Sequence, residues 1–207
     1  MKHANVSIFV PHNGCPHQCS FCSQRSITGQ QSQPTPEDVR RTLDQAVRDL
    51  GERIRESEIA FFGGSFTAID RSYMISLLDT AYRYVKQYNF TGVRLSTRPD
   101  AVDAEVLRLL RDYGVTSIEL GAQSMDDRIL ALNGRGHTSR DVEEASALIQ
   151  KFGFSLGLQM MTGLYGDTPQ KSYGTALRLC TLHPDTVRMY PTVVLEGTEL
   201  ASLYRQG

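Results

Sequence analysis

Short apolar runs alternate with longer helical patterns six times along the chain. The runs are mostly apolar, as expected for strands that are buried on both faces of a parallel sheet. They predict strands at residues 6–10, 59–62, 93–96, 117–120, 155–160 and 186–190. Repeated strand–helix units connect through right-handed crossovers, so we expect the strands to form one parallel sheet.

The segments between the predicted strands carry helix start signals. Thr35 places a capping hydroxyl directly before Pro36, which suits the first position of a helix. Asp103 is expected to cap a later helix, and Thr138 or Ser139 to open another. Apolar residues then recur at helical spacing, which predicts that one face of each helix packs on the sheet.

Polar, glycine-rich segments follow nearly every predicted strand. They lie at residues 63–65, 97–98, 121–124 and 163–166. In barrel-like α/β folds the site lies at the carboxyl ends of the strands, so these segments are expected to meet on one rim. Six units are too few for the usual closed barrel of eight strands. We therefore predict an α/β fold, a partial (β/α)6 TIM-type barrel with parallel strands.

Length and composition fit one globular domain with a substantial core. The chain has 207 residues, of which 40% are hydrophobic and 22% are charged. We expect residues 1–207 to form a single domain. Because only the start of a helix follows the last predicted strand, we also expect a C-terminal region of the full-length protein to be missing from these residues.

The charge balance gives no electrostatic reason to expect a nucleic-acid or membrane surface. Lysine and arginine total 22 against 23 acidic residues, which leaves a formal net charge of −1. No apolar run approaches the roughly 18 residues that a membrane-spanning helix needs. Three clustered cysteines and one separate cysteine make a poor disulfide framework, which favours a cytoplasmic protein.

Three of the four cysteines form a CxxxCxxC array of Cys15, Cys19 and Cys22. Three thiolates are one short of the four that usually hold an iron–sulfur cluster, so a 4Fe–4S cluster here would keep one iron open to a small molecule. A zinc site is the alternative, with His12 or His17 as the fourth ligand, although a second ligand pair of the usual spacing is absent from the sequence. A non-catalytic zinc- or iron–sulfur-stabilised module therefore stays open beside an enzyme.

An aromatic residue, Phe21, directly precedes the last cysteine of the array. With that residue, the array resembles the radical S-adenosylmethionine (SAM) enzymes. The other motifs are most similar to the branch of the Elongator catalytic subunit and the oxygen-independent coproporphyrinogen oxidases. The resemblance implies a radical SAM core with an oxygen-sensitive 4Fe–4S cluster on Cys15, Cys19 and Cys22. It also implies reductive cleavage of SAM to a 5′-deoxyadenosyl radical, which abstracts hydrogen from a substrate.

The same resemblance implies cofactor contacts at the strand ends. Residues 63–65 look like the motif that holds the methionine amino group of SAM, and Arg135 like the partner of its carboxylate. Gln123 matches a residue that contacts SAM, Ser96 stands where a glutamate often occurs, and Gln159 where an aspartate faces the ribose. The implied cofactor-binding residues are Phe21, Gly63, Gly64, Ser65, Ser96, Gln123, Arg135 and Gln159.

The resemblance also bears on partners. A low-potential electron donor of the flavodoxin or ferredoxin type is expected, because the sequence has no second cluster motif. The tRNA wobble uridine and porphyrin-type compounds are the two substrate candidates, and the net charge does not support RNA. The sequence indicates no particular acid–base or radical-relay residue.

Overall fold

The computed structural model describes residues 4–11, 19–23 and 32–206. Its six strands form one parallel sheet in chain order, and each strand is longer than the sequence predicted. The strands are β1 (Ala4–Val10), β2 (Ser57–Gly63), β3 (Gly92–Thr97), β4 (Val115–Gln123), β5 (Ser155–Thr162) and β6 (Thr186–Pro191). The predicted order of alternating strands and helices is thus confirmed.

Seven helices flank the sheet in the described part of the chain. They are α1 (Pro36–Leu50), α2 (Arg71–Tyr88), α3 (Ala104–Asp112), α4 (Asp127–Leu132), α5 (Ser139–Lys151), α6 (Pro169–Cys180) and α7 (Glu199–Gln206). The side chains of Thr35, Asp103 and Thr138 each accept a backbone N–H at the start of a helix, as predicted. The sequence did not predict α4, because six residues are too few to show a helical period.

On β2 to β5, alternate residues point outward and pack on the helices. The wholly buried core side chains include, from the strands, Ile59, Phe61, Leu95, Ile118, Leu120 and Leu156, and from the helices, Leu43, Leu77, Leu78, Leu107, Leu110 and Ile149. Each fully buried aliphatic or aromatic side chain contributes about 1.5–3 kcal/mol. The outer face of the sheet therefore carries most of the stabilising burial.

The inner face of the sheet is largely polar. Glu58, Arg94 and Glu119, on β2, β3 and β4, are joined there by ion pairs. Arg188 on β6 pairs with Glu119 and also lies with its Cζ 5.7 Å from the ring centroid of Phe62 on β2. A contact between β6 and β2 requires a strongly curled sheet. Since β1 and β6 each pair with one strand among the described residues, the curled sheet is an open half-barrel, which confirms the predicted partial barrel.

The last strand departs from the prediction of burial on both faces. On β6, Val187 and Met189 are 44% and 62% exposed. Helix α6 packs on β5, and β6 forms the edge of the sheet. The expectation of a doubly buried strand is therefore wrong at β6 and holds for the central strands. No helix in the described ranges is long and apolar enough to cross a membrane.

Two glycines provide a matched test of the inner face. A Cβ on Gly157 of β5 would lie 2.8 Å from Glu119 Cγ and 3.0 Å from Thr186 Oγ1, whereas one on Gly174 in α6 would meet nothing within 4 Å. We expect Gly157→Ala to lower the free energy of unfolding by about 1–3 kcal/mol through overpacking. Gly174→Ala should raise it by up to about 1 kcal/mol. Urea denaturation of both variants measures these changes. If Gly157→Ala were stabilised as well as Gly174→Ala, close packing between β4 and β5 would be contradicted.

Candidate functional site

The two described cysteines of the array lie on one turn after β1. Cys22 N–H donates to Cys19 O at 3.0 Å, which closes the turn. The side chain of Cys19 is buried, while those of Cys22 and Phe21 are half-buried. Cys15, His12 and His17 lie outside the described residues. The turn thus keeps two thiols close in space, as a shared metal centre requires.

A single buried asparagine anchors the cysteine turn to the rest of the rim. Asn133, at the end of α4, accepts at its backbone O from Ser20 N–H at 3.1 Å and at Oδ1 from Ser20 Oγ at 2.9 Å. Its amide also donates to Tyr165 O at 3.0 Å and accepts from Tyr165 N–H at 3.2 Å. On the other side, Leu200 N–H donates to Ser20 O at 2.8 Å. Segments that follow β4, β5 and β6 therefore fix the turn that carries the thiols.

Arg135 connects a thiol to the end of β4. Its Nη1 lies 3.3 Å from Cys19 Sγ, and its Nη2 donates to Gly121 O at 2.7 Å. Arg98 Nη2 donates to the Arg135 carbonyl oxygen at 2.5 Å and so holds the backbone at this point. The Arg135 side chain is buried and is therefore not a solvated surface arginine. Its Nε is buried and has no partner among the described residues.

The glycine pair after β2 allows two backbones to approach closely. Gly63 has a φ of 123°, and a Cβ there would lie 2.4 Å from Val10 O. Gly64 N–H donates to Val10 O at 3.0 Å. Ser65 Oγ lies 2.9 Å from Thr97 Oγ1, and so the serine side chain joins the ends of β2 and β3. The Ser65 hydroxyl is therefore engaged within the protein, and a SAM contact through the backbone of this segment stays a prediction.

At the ends of β3 and β4, two buried side-chain oxygens lack a partner in the described structure. They are Gln123 Oε1 on β4 and Ser96 Oγ on β3. Gln123 has a φ of 64° at an irregularity in the pairing of β4 with β5. Buried polar groups are nearly always satisfied, so unpartnered ones at neighbouring strand ends agree with a site for a bound polar molecule. Together with the unpartnered Nε of Arg135, these atoms fit a polar cofactor such as SAM.

The remaining predicted contact, Gln159, is engaged within the half-barrel. Its Nε2 donates to Glu119 Oε2 at 2.6 Å, so the amide belongs to the polar network of the inner face. Sequence reasoning missed this network and also missed Asn133. The available signal for the network was the presence of charged residues within predicted strands, namely Arg94, Glu119 and Arg188.

His137 adds a neutral group to the same end of the sheet. It is 5% exposed, and its Nε2 lies 3.2 Å from Ala122 O. Burial, assisted by the positive charge of Arg135, lowers the pKa of His137 to about 4. The imidazole is therefore uncharged at neutral pH beside a permanently charged guanidinium.

Comparison with known proteins identifies the class of this half-barrel. Residues 9–176 match the radical SAM superfamily. The chain therefore belongs to that superfamily and is an enzyme of it, and the predicted resemblance is confirmed. The cofactors typical of the family are a 4Fe–4S cluster and SAM. The predicted cofactors and the observed fold agree with membership of this family.

The chain is similar in sequence and fold to proteins of the Elongator branch. A tRNA uridine(34) acetyltransferase of Dehalococcoides mccartyi is 28% identical over 238 residues, covering 98% of this chain and 51% of the relative. Elp3 of Methanocaldococcus infernus superposes with a TM-score of 0.75 at 23% identity, covering 99% of this chain and 49% of that one. Coproporphyrinogen III oxidase (HemN) of Escherichia coli gives 0.67 at 18% identity, covering 98% and 47%. The chain thus spans about half the length of these proteins.

Removing the shared amide at Asn133 should loosen the cysteine turn. We expect Asn133→Ala to lower the free energy of unfolding by about 2–3 kcal/mol, because Ser20 Oγ and Tyr165 N–H lose a buried acceptor. Ser146→Ala is the matched control, since Ser146 Oγ is buried without a partner among the described residues. Urea denaturation of both variants tests this. Equal stability of the two variants would contradict the anchoring role.

His137 predicts a pH dependence of stability. Its folded-state pKa of about 4 lies below the ordinary value, so the unfolded chain binds an extra proton between these values. The free energy of unfolding should therefore fall as pH is lowered from about 6.5 to about 4, by up to about 3 kcal/mol from this group. His137→Gln should lose this component. Urea denaturation of both proteins at pH 7.5 and 4.5 measures the difference, and parallel losses would contradict the assignment.

Proposed function

We propose that this protein holds a 4Fe–4S cluster on Cys15, Cys19 and Cys22 and cleaves SAM reductively to abstract hydrogen from a substrate. The observation that carries the proposal is the convergence at the strand ends of the Cys19 thiol, the Arg135 guanidinium and the orphaned Gln123 Oε1. A merely structural zinc site does not need unpaired polar atoms at neighbouring strand ends. Family membership supports the same reading.

The residues of the site have distinct proposed roles. Cys15, Cys19 and Cys22 would hold the cluster, which would supply the one-electron reduction that cleaves a carbon–sulfur bond of SAM, and the external donor would restore that electron. The backbone of residues 63–65 receives the methionine amino group, and Arg135 its carboxylate through the unpartnered Nε. Ser96 and Gln123 offer a hydroxyl and an amide oxygen to the rest of the cofactor. Phe21 and Gln159 complete the proposed contacts, the latter through its side-chain amide.

The protein also needs a source of electrons and a substrate. We propose a flavodoxin- or ferredoxin-type donor, because the sequence holds no second cluster motif. We propose a tRNA uridine as the substrate class, since the relatives include tRNA uridine(34) acetyltransferases. The net charge of −1 gives no general electrostatic support for RNA, so this part of the proposal rests on the relatives. A cytoplasmic location is part of the same proposal.

The cysteines allow a direct test with an internal control. Anaerobic reconstitution with iron and sulfide should give about four of each per chain, and dithionite with SAM should then yield 5′-deoxyadenosine. Cys19→Ala should abolish both, whereas Cys180→Ala should keep both, because Cys180 is exposed and separate from the array.

The zinc alternative has its own outcome in this experiment. If one zinc per chain bound to the wild-type protein with no 5′-deoxyadenosine formed after reconstitution, the enzyme mechanism would be refuted. Adding a uridine-containing anticodon stem-loop and, separately, coproporphyrinogen tests the substrate class. Faster SAM cleavage with the porphyrin compound than with RNA would contradict the tRNA proposal.

A further inference from the structure

The inner face of the half-barrel carries four charged side chains that the proposed cofactor contacts do not use, and Gln159 joins them by donating its Nε2 to Glu119. We call this set the inner network, made of Glu58, Arg94, Glu119, Gln159 and Arg188. It joins all strands from β2 to β6. Two carboxylates and two guanidinium groups balance in charge, so the network as a whole is neutral.

Arg94 is enclosed by its two partners. Its Nε donates to Glu58 Oε2 and its Nη1 to Glu119 Oε1, both at 2.7 Å, and its side chain is only 11% exposed. Such a guanidinium serves to compensate buried carboxylates and has little surface left for a ligand. Arg94 therefore has a structural role.

Arg188 differs from Arg94 in having an open edge. Its Nη2 lies 2.9 Å from Glu119 Oε1, and its guanidinium also lies near the ring of Phe62. Beyond these two contacts, the described residues give the guanidinium no partner. The side chain is 37% exposed, so several N–H donors face the interior of the half-barrel. The carboxylate on one side and the aromatic ring on the other hold the group in place.

Glu119 can keep its compensation while Arg188 binds something else. The carboxylate is 1% exposed and also receives Arg94 Nη1 at 2.7 Å and Gln159 Nε2 at 2.6 Å. These donors remain in place if Arg188 shares its open edge with a ligand. A guanidinium fixed in this way loses little entropy on binding, and its fork matches the geometry of a carboxylate or phosphate.

We infer that Arg188 binds an oxyanion, a carboxylate or a phosphate, of the substrate that enters the half-barrel. This inference rests on the proposed function only in that the interior receives a substrate beside the cofactor. Arg188 lies on β6 and contacts Glu119 and Phe62, whereas Arg135 follows α4 and contacts Cys19 Sγ and Gly121 O. The two arginines therefore divide the anionic groups, with Arg135 serving the cofactor and Arg188 the substrate.

The test measures binding to the reconstituted protein with SAM present, by isothermal titration calorimetry. Uridine 5′-monophosphate against uridine probes a phosphate, and orotate against uracil probes a carboxylate. The wild-type protein should prefer the charged member of at least one pair by about tenfold, as expected for charge-assisted hydrogen bonds. Arg188→Gln should lose that preference. Arg140→Gln is the matched control, because Arg140 lies on the outer surface and is 83% exposed.

Arg188→Lys provides a second test in case Arg188→Gln does not fold. It retains the charge beside Glu119 but lacks the fork, so the preference should shrink while urea denaturation stays close to wild type. Equal binding of charged and neutral probes by the wild-type protein, or a preference that survives in both variants, would overturn the inference.

Cofactor binding separates this inference from the proposed function. SAM affinity should be unchanged in both Arg188 variants, and a large loss of it would assign Arg188 to the cofactor instead. Formation of 5′-deoxyadenosine in the same preparations reports on the proposed function alone. Its absence from the wild-type protein would refute that function without deciding what Arg188 binds.

Discussion

Because side chains alternate between the two faces of a strand, six parallel strands can pack apolar residues on one side and carry charge on the other. In this protein the outer residues of β2 to β5, such as Ile59 and Leu120, are wholly buried against the helices. That packing stabilises the sheet from its outer face. The inner face is therefore free to hold Glu58, Arg94 and Glu119, which a core packed on both sides would exclude.

Buried polar atoms differ between the inner network and the strand ends in whether they have hydrogen-bond partners. Within the network, the buried Glu119 carboxylate has three partners, as a charge removed from water requires. At the strand ends, Gln123 Oε1 and Arg135 Nε have none among the described residues. Leaving such atoms unpaired costs about 1–3 kcal/mol each, and a bound molecule that paired with them, as proposed, would remove that cost. The polar atoms of the inner network therefore stabilise the half-barrel, whereas those at the strand ends are the ones proposed to bind the cofactor.

The sequence predicted the features that depend on residues close together along the chain. Caps such as Thr35 and Thr138 depend on side chains three residues from their partners, and apolar runs mark the strands of the central sheet. It missed Asn133, which joins Ser20 to Tyr165 across more than a hundred residues of chain. It also assigned Gln159 from motif position alone, while the amide's partner, Glu119, is set by the pairing of β4 with β5. Contacts of this kind follow from the fold and leave no periodic signal in the chain.

The same long-range contacts give the cysteine turn its geometry. A turn that carries metal ligands needs fixed positions, because ligand spacing errors weaken the bound centre. Here Ser20 is bonded on one side to Asn133 after β4 and on the other to Leu200 after β6. A shift of β6 relative to β4 would therefore strain the turn that holds Cys19. Arg188 of β6 also pairs with Glu119 of β4. The positions of the cysteine turn and of the proposed oxyanion site therefore depend on the same placement of β6 relative to β4.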